Sequence, residues 1–303
     1  MMLCTDCGSS EFIAGVKHYC GISSPETSPL EIVGATLKGR VNTSNAQLLD
    51  NIRHNIRLQH PQARPEPPKI EHVALVGSGV SLRHTEKELR QLVFEGARVV
   101  TLNGAYHWCI ERNIRPWMQI VMDARATNAR FLTPEIPNCS YWLASQCHPD
   151  AFAMVQDYEK VRIFHASNPD ALEEPILNEF YAGHWAGVSG GTTVGTRAIG
   201  LLRMLGFLRF DLFGVDSCWM DNAHHAFDQP ENNRDKPLKM RVRAADDEDG
   251  GREFICSPWH VKQFEDFLQF IRSSGHLFKL HVHGNGLIAY AISTNAVEYR
   301  TED

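Results

Sequence analysis

The stretch VALVGSGVSL, Val73 to Leu82, constrains the fold most. Four small or β-branched apolar residues, Val73, Ala74, Leu75 and Val76, break off at Gly77-Ser78-Gly79. Such a run suits a strand buried on both faces, and the pattern from about His84 suits a helix. Glycines at the junction let the backbone approach a ligand, and the first helical N–H groups favour a phosphate or carboxylate.

The alternation continues down the chain. Strands are predicted at Arg98–Asn103, Trp117–Asp123, Tyr141–Ser145, Val161–Ala166, Phe210–Asp216 and Phe278–Val282. Helical spacing carries Leu89, Leu92 and Val93, then Tyr106, Trp108 and Ile110. It returns at Ala198, Leu201, Leu202 and Leu205, at Phe264, Phe267, Leu268 and Ile271, and in a short helix from Leu287. Repeated strand–helix units predict an α/β fold: a doubly wound, mostly parallel, Rossmann-like sheet with right-handed crossovers. In such sheets ligands bind beyond the carboxyl ends of the strands, where Asn103, Asp123, Ser145 and Asp216 fall. Residues 167–187 lack periodicity and read as a lid or inserted helix pair, with Trp185 a lid residue that packs on a ligand. Trp108 and Trp117 read as core. Ser217 to Pro258 reads as a long polar loop with an acidic run at Asp246.

Ahead of this lies a helix through Leu48, Ile52 and Ile56, capped by Thr43 or Ser44, and a Pro-rich linker, Pro61 to Lys69. Residues 1–66 are therefore expected to form an N-terminal extension, and residues 67–303 a nucleotide-binding domain. Within the extension, Cys4-x2-Cys7-Gly8 with His18 and Cys20 has ligands for one structural zinc, and free thiols are the competing reading. The eight cysteines of the 303-residue chain read as reduced thiols rather than a disulfide framework. No apolar run approaches the roughly 18–20 residues of a membrane span. The opening MMLCTDCGSS lacks the basic and apolar regions of a signal peptide, so the expected compartment is the cytoplasm. Net charge is −6 with scattered Lys and Arg, which argues against a broad nucleic-acid face and leaves room for a small anionic ligand.

The glycine turns exclude two ligand classes. A dinucleotide site needs a third glycine, where Leu82 stands, and an acid ending the second strand, where Asn103 stands. The Gly-Lys-Ser/Thr of a P-loop is absent. A second turn, Ser189-Gly190-Gly191-Thr192-Thr193, precedes a helix and combines bare backbone with hydroxyls, which suits an anion; a threonine N-cap after a loop is the alternative.

Three motifs, GSGVSL at Gly77, TLNGAYHW at Thr101, and SGGTTVGTRAIGLLRMLGF with FGVD over Ser189–Asp216, carry a resemblance. They resemble the 6-hydroxymethylpterin diphosphokinase-like domain family, which also occurs in motility-associated, flagellin-glycosylating proteins, and the bacterial CMP-sugar-dependent sialyltransferases. Val80 stands where those groups usually have proline. The segment His225-Ala226-Phe227-Asp228 and the stretch from Ser257 to Ile292 are similar to the sialyltransferases. The likeness spans about Glu71 to Thr294. It implies that His260 is the general base, and that Gly77, Ser78, Gly79, Ser81 and Asn103 contact the donor nucleotide. On the pterin side it implies that Asp123 holds Mg2+.

On the residues themselves, His224 and His225 are a rival base, a phosphate contact or solvated. Asp123 also suits a helix cap, and Asp216 a contact to base or ribose or a loop brace. His281 and His283 share a strand face but have no further ligand at fixed spacing. The expectation is a nucleotide-dependent transferase, a glycosyltransferase with a CMP-sugar donor, a small-molecule or glycan acceptor and no required metal, acting as a monomer or homo-oligomer. The alternatives are a diphosphokinase using ATP and Mg2+, and a non-catalytic nucleotide-binding or structural protein.

Overall fold

The computed structural model describes residues 43–168, 170–228, 237–243 and 250–294, with the backbone of 32–33 and 298–302. Cys4, Cys7, His18 and Cys20 lie outside the described residues, as does the acidic run. The strands are β1 (Ile32–Val33), β2 (Val73–Val76), β3 (Arg98–Leu102), β4 (Met118–Val121), β5 (Ser140–Ala144) and β6 (Val161–Ala166). They continue as β7 (Gly187–Val188), β8 (Arg209–Phe213), β9 (Leu238–Arg243), β10 (Arg252–Cys256), β11 (Lys279–Val282) and β12 (Glu298–Glu302). The helices are α1 (Asn45–Ile56), α2 (Glu86–Phe94), α3 (Ala105–Glu111) and α4 (Pro149–Met154), then α5 (Glu174–Tyr181), α6 (Val194–Met204), α7 (Pro258–Ser274) and α8 (Leu287–Ser293).

The main sheet has eight strands in the order β11-β8-β2-β3-β4-β5-β6-β7, and every neighbouring pair is parallel. It is the doubly wound α/β architecture that the alternation predicts. β2 shows why its sequence is apolar throughout. Val73 and Leu75 join the larger core with Val100, Ile120, Leu143 and Leu212, while Ala74 and Val76 join a second core with Leu82, Leu89, Trp108 and Phe213. A strand covered on both faces has no side for a polar residue.

Two segments differ from the sequence reading. The supposed polar loop contains the antiparallel hairpin β9–β10, and β12 extends it into a second sheet, β1-β12-β9-β10. In β9 only Met240 and Val242 are buried, while Lys239, Arg241 and Arg243 face out. Lys239 and Arg241 each lie 3.4 Å from Glu253 of β10. One buried face and one charged face make a strand that averages as polar. Between 167 and 187 the described residues hold one helix, α5, with Trp185 pinned by its indole N–H to Asn178 Oδ1 at 2.8 Å and packed edge-on to His165.

Helix α1, capped by Ser44, packs on the main sheet through Ile52 and Ile56. Asn55 is fully buried and donates from Nδ2 to Ser145 O at 2.9 Å and Cys147 O at 2.7 Å. The Pro-rich stretch is hydrogen-bonded to β6 on one side and to the end of α6 on the other, through Ala63 N to Ile163 O and Glu66 N to Met204 O, both 2.8 Å. The five cysteines among the described residues are free and buried. Burial pushes the Cys218 thiol up to about 12, which removes thiolate reactivity near neutral pH. No described helix is long and apolar enough to cross a membrane.

Asn55→Ala leaves two buried carbonyls without their donor. The variant is expected to lose roughly 2–4 kcal/mol in urea unfolding. A loss under about 0.5 kcal/mol would mean that α1 is not held to the sheet by this amide.

Candidate functional site

The chain leaves β2 towards β3 and comes back to β2's other side, at β8, only after reaching the far edge. The order reverses there, and the carboxyl ends of β2 and β8 flank the crevice where open α/β sheets bind ligands. The first glycine turn is zipped to the end of β8: Gly77 N donates to Phe213 O at 2.8 Å and Gly79 N to Gly214 O at 2.7 Å. Asp216 Oδ2 accepts from Ser81 N at 2.8 Å. A Cβ on Gly79 would stand 2.8 Å from Asp216 Cγ and from Gly214 O, so close approach demands glycine. Asp216 is 4% exposed. Burial pushes its carboxyl above the ordinary range, and the Ser81 hydrogen bonds pull the other way.

The second turn is arranged alike. Thr192 donates from N at 2.8 Å and from Oγ1 at 2.5 Å to Asp266 Oδ2 on α7, while Lys262 Nζ sits 2.9 Å from Oδ1. Burial raises the Asp266 carboxyl, but the hydrogen bonds from Thr192 and Lys262 outweigh it and hold it below its usual range. Gly191 takes φ +68°, a left-handed conformation that favours glycine. The buried Arg197 guanidinium braces the turn by donating to Ser167 O at 2.7 Å, Val188 O at 2.5 Å and Gly191 O. The two turns meet across Val215: a Cβ on Gly77 would lie 3.3 Å from its Cγ2, and one on Gly195, in the first turn of α6, 3.9 Å from its Cγ1.

A histidine cluster adjoins this crevice. Ala226 N donates to Ser78 O at 2.8 Å, and Arg83 Nε to Ala226 O at 2.8 Å, so the 224–227 segment is fastened to the first turn. The His224 ring lies 4.4 Å from His225 and 6.2 Å from His260, centroid to centroid, and Trp259 lies 3.6 Å from His260. Trp219 Nε1 donates to Ser257 Oγ at 2.9 Å. His260 occupies the third position of α7 and completes a capping box, its Nδ1 accepting from Ser257 N at 3.0 Å. The acceptor role at Nδ1 puts the proton of the neutral ring on Nε2. His260 is 2% exposed, and burial with the neighbouring His224 and His225 holds its pKa well below the ordinary value. The residue expected to be a base therefore presents an N–H donor. His225 is the half-buried ring of the three.

Asn103 follows β3 directly at φ +46°, and its Oδ1 is buried without a hydrogen-bond partner among the described residues. One residue on, at Gly104, begins a cavity of about 240 Å³ whose walls include His107, Trp108, Arg130, Phe227 and Asp228. Of these the sequence pointed to Phe227 and Asp228 through the His225–Asp228 segment. His107 and Trp108 stand on α3 within the TLNGAYHW stretch, whereas Arg130 comes from a short helical turn between β4 and β5 that no motif marks. Asp123 is gripped by its neighbour: Arg125 donates from backbone N to Oδ1 at 2.9 Å, from Nε to both oxygens at 3.0 Å and from Nη2 to Oδ2 at 2.5 Å.

Fold and site together define a doubly wound α/β protein with two glycine turns and a histidine cluster gathered at the switch point of a parallel sheet. The sequence profile of the family described as 6-hydroxymethylpterin diphosphokinase MptE-like matches residues 46–222, and the chain belongs to that family. No curated protein sequence matches the chain. Among solved structures it is similar to the MAf glycosyltransferase from Magnetospirillum magneticum AMB-1, at 15% identity and a TM-score of 0.56 over 79% of this chain. It spans 37% of that protein's length. A mammalian sialyltransferase in complex with Gal-beta-1-3GalNAc-ortho-nitrophenol aligns at 12% identity and a TM-score of 0.40, over 82% of this chain and 83% of that one.

Two buried histidines predict an acid sensitivity. Burial depresses His165 to about 4, and His260 also stays neutral in the native protein. The unfolded chain takes up protons at these positions below about pH 6.5, where the native protein does not. Their contribution is complete above that pH and is lost as pH falls, by up to about 1.4 kcal/mol per pH unit for each ring. His260→Gln keeps a capping acceptor. Urea unfolding between about pH 6 and pH 5 should show a slope shallower by about 1.4 kcal/mol per pH unit in this variant; an unchanged slope would mean that the native ring protonates there.

Proposed function

We propose that this protein is a transferase that binds a nucleotide-sugar, of CMP-sugar type, in the crevice between β2 and β8 and passes the sugar to a hydroxyl acceptor. The observation that carries this reading is the fastening of the histidine segment to the glycine turn through Ala226 N and Ser78 O. It sets acid–base groups beside the strand ends, where the first-turn N–H groups of α6 across Val215 suit a phosphate. The fold shared with the MAf glycosyltransferase supports a reading of glycosyl transfer.

In this reading His225 takes the proton of the acceptor hydroxyl. The acceptor oxygen bonds to the anomeric carbon as the bond from that carbon to the phosphate oxygen breaks. The nucleotide leaves with the electron pair, and His260 Nε2–H donates to the phosphate oxygen that gains charge. Asn103 and the Gly77–Ser81 turn contact the nucleotide, and the Gly190–Thr193 turn with the α6 N-terminus forms the second wall. The aromatic cavity beyond Asn103 suits a planar base.

A second reading rests on the family's description: pyrophosphoryl transfer from ATP to a hydroxymethylpterin-like substrate. It needs carboxylates free to hold Mg2+. Asp123 is held by Arg125 on both oxygens, and Asp216 is buried on Ser81 N, so these acids do not fit that task as arranged.

A thermal-shift screen of CMP, CDP, ATP and GTP, with and without Mg2+, separates the readings, because a ligand of the native state raises its apparent stability. CMP or CDP should stabilise the protein without metal, and transfer from a CMP-sugar should survive EDTA. His225→Gln should slow transfer by about 10²–10⁴-fold. Strict dependence on ATP and Mg2+ would establish the diphosphokinase instead, and no response to any nucleotide would point to a structural role.

A further inference from the structure

Sequence spacing left His281 and His283 without a further ligand, and the sheet register supplies one. His281 of β11 is the direct partner of Asp211 in β8. Both His281 and His283 lie on the face that carries the Asp211 carboxylate, since side chains two apart on a strand point the same way. His283 Nε2 meets Asp211 Oδ1 at 2.6 Å, and His72, just ahead of β2, meets Oδ2 through its own Nε2. One ligand atom from each of Asp211, His281 and His283 falls within 4.8 Å of the other two. Ligands bound at about 2.0–2.2 Å to a tetrahedral ion lie roughly 3.3–3.6 Å apart, so small side-chain rotations close the set.

We infer that Asp211, His281 and His283 form a binding site for a divalent transition-metal ion of the zinc class, with His72 orienting the carboxylate from behind. Two imidazoles and one carboxylate suit zinc, whereas Mg2+ and Ca2+ prefer all-oxygen shells. Three protein ligands leave a fourth position for water or an exogenous ligand. Ligating carboxylates are in turn hydrogen-bonded, and His72 supplies that support at Asp211 Oδ2. The ion would tie β11 to β8 immediately before the Gly284–Gly286 turn, which rests on Ser81 and on Asp216. The site thus has a structural route to the crevice without lining it.

The test uses the full chain carrying Cys4→Ser and Cys7→Ser, so that the N-terminal cysteines do not contribute. Metal is stripped with a chelator, and Zn2+ is titrated against a chromophoric competitor. One equivalent per chain is expected, and Co2+ in its place should give visible absorption bands. His281 is exposed, so His281→Ala should retain the native circular dichroism while losing stoichiometric binding. His72→Ala should weaken binding by about 10–100-fold. Absence of a stoichiometric site, or full Zn2+ binding by a folded His281→Ala or Asp211→Asn protein, overturns the inference.

Discussion

The hydrogen bond from Ser81 N to the Asp216 carboxylate organises the molecule. It joins two residues 135 apart in sequence at the one place where the sheet reverses its order. Burying a carboxylate is costly unless donors meet it. Here the donor is the backbone of the first glycine turn, so the turn cannot slacken without leaving a buried acid unpaired. The same contact explains why this protein departs from a dinucleotide fold. The acid that would take a ribose at the end of the second strand is replaced by Asn103, and the acid at the end of β8 is directed inwards at the turn itself.

The second turn repeats the device. Asp266 accepts two hydrogen bonds from Thr192 and is neutralised by Lys262. Both glycine turns therefore have a carboxylate of the protein's own at positions that sequence reasoning assigned to a ligand anion. A phosphate in this crevice must use the remaining donors, the first-turn N–H groups of α6 and the histidine N–H, or compete with an internal acid.

What was legible beforehand follows from what each residue touches. The strands of the main sheet were readable because burial on both faces leaves uninterrupted apolar runs ended by glycine, as at Val73–Gly77. The hairpin β9–β10 was not, because its outward face is Lys239, Arg241 and Arg243. The docking of α1 was hidden in two asparagines whose partners, the carbonyls at 145–147, lie 90 to 95 residues away. His281 and His283 were seen to share a face, but Asp211 enters only through the β8–β11 register. At His260 the local hydrogen bonding was not legible. Ser257 three residues earlier was the available signal, since a serine N-cap followed by a polar ring at the third helical position is a capping-box pattern.

That capping box bears on how three adjacent histidines can divide a reaction. His224 lies within 4.4 Å of His225 and 6.2 Å of His260, centroid to centroid, in a partly dehydrated site. A positive charge on one ring disfavours a charge on the others. If His225 accepts a proton, His260 is held neutral all the more firmly, and its proton stays on Nε2 because Ser257 N occupies Nδ1. In the proposed transfer one ring is thereby kept as donor while another serves as acceptor at a single pH. The division rests on a backbone N–H at a helix start, which no change in solution pH can titrate. For the proposed transfer, then, donor and base would be kept distinct by the geometry of α7, whose other contact, Asp266, closes the second glycine turn.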